Sequence, residues 1–91
     1  MKIAMHDNEV GNSLVTPLKR VSSDLEAEEY VKAMAVDPRA VRVIKWILFD
    51  FKGNICVWER PVGSLGLPKI TQRSARFTGK WGKGPNEVAI P

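Results

Sequence analysis

The chain is short of the residues on which most small-domain chemistry depends. Its 91 residues include one cysteine and one histidine. A single thiol closes no internal disulfide and builds no multi-thiolate metal site. A single imidazole leaves little for zinc ligation or acid–base work. No uncharged apolar run approaches the ~18 residues that a membrane-spanning helix needs. The first residues, Met1-Lys2-Ile3-Ala4-Met5-His6-Asp7, meet charge before any apolar stretch, unlike a secretory leader. These absences lead to the expectation of a cytoplasmic protein with no membrane partner, no metal and no cofactor.

What is present suits one small globular domain spanning residues 1–91. Hydrophobic residues make up 44% and charged residues 26%, an ordinary balance for a chain that buries a core. The formal net charge is +4, but it is unevenly placed. Residues 1–51 carry a net −1 and residues 52–91 a net +5, the excess lying on Lys52, Arg60, Lys69, Arg73, Arg76, Lys80 and Lys83. Clustered positive charge steers polyanions and acidic protein faces. A net charge of this size also serves solubility alone.

The local patterns point to α+β architecture. Ser23 followed by Glu26 is a capping-box spacing, and acidic residues fill the next turns, so residues 22–36 are predicted to form one helix. Ala27, Tyr30, Val31 and Met34 fall on its inner face, and Glu28 stands four residues before Lys32 on the outer one. Asp37-Pro38 stops it. The run Val41 to Phe49 is β-branched and aromatic, and Ile55 to Glu59 is its natural antiparallel partner across Phe51-Lys52-Gly53-Asn54. Asp37-Pro38 could also start a helix over 38–48, but β-branched residues lose rotamer freedom there, which favours the strand. Ile3–Met5, Leu14–Thr16 and Val88–Ile90 read as short strands, and Lys69–Thr78 as a polar edge strand. The expected fold is one helix packed on a mainly antiparallel sheet built around the 41–60 hairpin, with 61–91 a turn-rich basic segment.

Pairing Leu48 with Val57 puts apolar residues on both faces of that hairpin, whereas a solvated antiparallel sheet shows one polar face. One helix covers one face. The second face is covered either by residues 1–21 and 61–91 completing the core or by a partner. In the latter case it marks an interaction surface, with Ile44, Trp46, Leu48, Val57 and Trp58 as candidate residues and another protein or a second copy of the chain as partner. The large indoles of Trp46 and Trp58 anchor either that surface or the core. An alternative reading rests on Arg73, Arg76, Phe77, Lys80, Trp81 and Lys83. Glycine, lysine and aromatic residues interleave there, as suits single-stranded nucleic acid. No Gly-Lys-Ser/Thr completes a phosphate-binding loop. Cys56 lacks a base, Glu26 is a cap, and no nucleophile–base or carboxylate pair stands at useful spacing. The sequence therefore predicts a non-enzymatic module with no small-molecule substrate.

Overall fold

In the computed structural model, residues 1–7, 19–77 and 88–90 are described. They form strands β1 (Lys2–Asp7) and β2 (Lys19–Arg20), helix α1 (Asp24–Ala35), and strands β3 (Val43–Phe49), β4 (Ile55–Glu59), β5 (Lys69–Ser74) and β6 (Val88–Ile90). Single 3-10 turns lie at Pro38–Ala40 and Ala75–Phe77. The strands make one sheet in the order β2-β1-β3-β4-β5-β6. The first five strands pair antiparallel and β6 joins β5 in parallel, so this is a small α+β domain with α1 packed against the sheet. β5 is therefore interior to the sheet at Gln72–Ser74 and not the expected edge. The expected Leu14–Thr16 strand lies outside the described residues.

The helix starts where its caps dictate. The Glu26 amide donates to Ser23 Oγ at 3.1 Å. The Glu26 carboxylate reaches back one residue further than in the usual box, accepting from Ser22 N at 3.0 Å and Ser22 Oγ at 3.2 Å. Lys32 Nζ lies 2.8 Å from Glu28 on the outer face. After Ala35, Asp37 Oδ1 caps the next turn by accepting from Arg39 N at 2.9 Å, with Pro38 at the first position. Both sequence readings of this stretch are thus partly realised. The Asp-Pro start is real, but it propagates for one 3-10 turn only, and the β-branched run from Val43 takes over as a strand.

The hairpin register differs by one residue from the sequence expectation. Trp46 pairs with Trp58 and Leu48 with Cys56, not with Val57. A one-residue slip sends every β4 side chain to the opposite face. Trp46, Leu48, Cys56 and Trp58 accordingly share the helix side with Ile3, Met5 and Ile70, where they pack on Ala27, Val31 and Ala35. The physical reason is size. Both indoles find cover only beneath the helix, and a fully buried large apolar side chain contributes about 1.5–3 kcal/mol.

Two bulges keep this core in phase. Val43 and Trp46 are both buried on the helix side although they stand three apart, which a regular two-residue repeat forbids. The pairing steps from His6–Lys45 to Asp7–Val43, leaving Ile44 as the extra residue. The same device serves β5. Val57 pairs with Gln72 and Trp58 with Ile70, so Thr71 is extra, and both Ile70 and Arg73 stay inside.

Arg60 closes the far end of the core. Only 6% exposed, it donates from Nε to Val43 O at 2.9 Å and from Nη2 to Ala40 O at 2.7 Å. Its Nη1 donates to Gly66 O at 3.2 Å and also to Ala35 O. The guanidinium lies 4.8 Å from the Trp46 ring centre. Burial lowers its proton affinity, though a guanidinium keeps its proton in proteins. One cation thus ties the end of α1, the 3-10 turn, the start of β3 and the 61–68 loop, at the helix end whose carbonyls favour positive charge.

Candidate functional site

Every described helix and 3-10 turn adds its buried apolar residues to the cluster on one face: Ala27, Val31 and Ala35 from α1, Ala40 and Phe77 from the turns. The other face carries Ala4, Ile47, Phe49, Ile55 and Val57, edged by Lys2, His6, Lys45, Glu59 and Lys69, as the strand register requires. Ala4 and Val57, in the row through Ile47, are buried, whereas Ile47, Phe49 and Ile55 are partly buried. The polar edge is internally bonded: Lys45 Nζ lies 3.6 Å from Glu59, and Thr71 Oγ1 donates to the same carboxylate.

At the hairpin tip this face continues into Phe51, which is 94% exposed. The tip itself is firmly built. The Asp50 carboxylate accepts from Lys52 N at 2.8 Å, Asn54 N at 3.0 Å and Asn54 Nδ2 at 3.0 Å. Asp50 N donates to Asn54 O at 3.1 Å, and Gly53 takes φ 85°, a value that a side chain would oppose. The hydrogen bond from the Asn54 side chain, with the backbone donors and Arg76 behind it, holds the Asp50 carboxyl below its usual range. Arg76 then ties the tip to the helix. Its Nε lies 3.5 Å from Asp50 and its Nη1 donates to Asp24 at 3.1 Å, with the guanidinium 4.4 Å from the Phe77 ring centre.

A groove of about 590 Å³ opens beside Phe51. Met1, Val21 and Phe49 give it an apolar lining, and Lys2, Arg20, Ser22, Glu26 and Asp50 complete it. A second, smaller cavity of about 340 Å³ lies at the opposite end, between Pro61, Leu67 and Ile70. Near it, three of the four carbonyls gathered by Arg60 precede Val36, Val41 and Leu67, all of them exposed.

The sequence-derived candidates divide as follows. Trp46, Leu48 and Trp58 lie under the helix, Val57 is buried on the face opposite it, and Ile44 is the half-buried extra residue of β3. Arg73 and Phe77 are buried, and Arg76 is engaged with Asp24 and Asp50. Lys80, Trp81 and Lys83 lie outside the described residues. Cys56 is buried beneath α1. Among the described residues no group of three or more His, Cys, Asp or Glu side chains gathers at metal-binding distance, and no helix is long and apolar enough to cross a membrane. The sequence reading missed Phe51, taken only as a turn residue, and Phe49 as part of an exposed face. The signal was an aromatic pair flanking an aspartate whose Asp-x-x-x-Asn spacing builds the tip. No family model, curated protein or solved structure matches the chain.

Proposed function

We propose that the protein is a small, non-enzymatic, cytoplasmic binding module that docks another protein, or a second copy of itself, through the outer surface of the β3–β4 hairpin. The observation that carries this reading is Phe51: a phenyl ring almost wholly in water, on a loop fixed by Asp50. A ring that needed only to be tolerated could collapse onto the face beside it. Carried on a fixed loop, it is an anchor whose backbone loses little conformational freedom on binding, and aromatic residues dominate contact energies at such positions. Phe49, Ile47 and Ile55 extend it into an apolar strip along the face opposite α1.

Selection of peptides from a random display library on the full chain tests the reading, with counter-selection on Phe51→Ser. Enriched peptides that bind the parent and lose most affinity for the variant support it. Equal binding to both, or no enrichment together with a monomer at every concentration by light scattering, sinks it.

A further inference from the structure

We infer that the groove beside Phe51 receives an acidic segment of another protein that also carries a large apolar side chain. This inference rests on the docking role proposed for the hairpin and specifies the chemistry of the partner. The groove is walled on one side by the hairpin tip and on the other by the β2–α1 connection, with the start of β1 as its floor. Its lining holds two carboxylates and two cations, so formal charge alone predicts nothing. The hydrogen bonds decide the balance.

Both carboxylates are already engaged within the fold. Glu26 accepts from Ser22 N and Ser22 Oγ, one bond to each oxygen. Asp50 accepts from two backbone amides and the Asn54 side chain, with Arg76 behind it. Lys2 and Arg20, opposite each other on β1 and β2, make no ion pair with any described residue. Lys52 joins them at the tip, its ammonium 5.9 Å from the Phe51 ring centre. The charge left to meet a partner is therefore positive. It surrounds an apolar lining of Met1, Val21 and Phe49, next to the Phe51 ring.

Two cations held side by side on paired strands repel each other, and an incoming carboxylate removes that repulsion. The apolar lining sets the second requirement. A polynucleotide brings regularly spaced phosphates, which suit a continuous basic track. Here the Lys2–Arg20 pair stands apart from Lys52 at the tip, with Phe49, Asp50 and Phe51 between them and Glu26 also in the lining. A peptide alternating acidic and aliphatic or aromatic side chains matches that spacing of charge and apolar surface, and a phosphate chain does not.

The composition of the selected peptides is the first readout. Enrichment of Asp and Glu together with Phe, Leu or Trp supports the inference. Enrichment of neutral or basic peptides overturns it while leaving the hairpin as a docking surface. No enrichment with self-association also overturns it and leaves a second copy as the occupant, and no enrichment with a monomer at every concentration removes both. A fluorescein-labelled acidic peptide from the selection is then titrated against charge-reversal variants. Arg20→Glu and Lys52→Glu each lower its affinity, about tenfold for Arg20, and raising salt from ~50 to ~200 mM weakens it several-fold. Both sites are solvent-exposed, so the thermal melts of these variants stay near the parent's. Unchanged affinity in both variants overturns the inference. So does an oligothymidylate of similar length that displaces the peptide at lower concentration than the unlabelled peptide itself.

Discussion

On the helix side of the sheet, Trp46, Leu48, Cys56 and Trp58 are buried in the core with α1, while one residue along the same strands Ile47, Phe49 and Ile55 are only partly buried. The chemistry of the two faces is similar, but among the described residues the helix covers only one of them. Burial, not hydrophobicity, separates residues that hold the fold from residues that are free to meet a partner. The two ends of the hairpin repeat the contrast in polar terms. Arg60 spends its donors on backbone carbonyls deep in the core. Asp50 spends its acceptors on a surface loop whose effect is to hold Phe51 outward.

The largest predicted effect strikes the covered face. Trp46→Ala removes a wholly buried indole, at a cost of about 3–5 kcal/mol. A domain of this class holds about 5–15 kcal/mol in total. The cooperative urea transition, followed by circular dichroism, should therefore collapse or shift far toward water. Arg60→Ala comes next, because it orphans the buried carbonyls of Val43, Ala40 and Ala35. The expected loss is about 2–4 kcal/mol, since each unsatisfied buried acceptor costs about 1–3 kcal/mol and entering water recovers part. Arg60→Lys restores little of it, for one ammonium cannot span three separate carbonyls as the guanidinium fork does.

Smaller effects sharpen the comparison. Ser23→Ala removes the helix cap and costs about 1 kcal/mol in the same urea measurement. Acid acts on the tip. Asp50 titrates lower in the folded chain than in the unfolded one, so its stabilising contribution is complete above the usual carboxylate range. That contribution is lost as pH falls through the range toward the folded value. Amide exchange at Lys52 and Asn54 should accelerate relative to the β3 core under those conditions, and Asp50→Asn should weaken the acid dependence. The least effect on stability belongs to Phe51→Ser, below about 0.5 kcal/mol for so exposed a side chain. That same substitution should lower the affinity of a selected peptide about tenfold or more.

Much of the fold was legible in the sequence because it is locally encoded. Ser23 and Glu26 start the helix, Asp37-Pro38 ends it, and the run from Val43 to Phe49 excludes a long helix by its β-branching. Gly53 marks the turn and takes the expected positive φ. The register was not legible. It depends on which strand residues the helix covers, a long-range matter, and two bulges at Ile44 and Thr71 break the simple alternation from which faces are read. The candidate surface followed the register. The hairpin drew attention for its two apolar faces, but the indoles belong under the helix, and the exposed aromatic is Phe51 with the partly buried Phe49 beside it. Arg60, Arg73 and Phe77 show the same limit. Composition counts them as surface charge or stacking surface, whereas only tertiary packing tells that they lie inside.

The most direct test of this account follows the methyl groups of the two faces by NMR as a selected peptide is added to the full chain. The methyls of Ile47 and Ile55 and the ring of Phe51 should shift with the peptide, while those of Ile3, Val31 and Leu48 stay in place. Shifts centred instead on Val36, Val41 and Leu67 at the Arg60 end, or on the covered core, would contradict the assignment of docking to the outer surface of the hairpin.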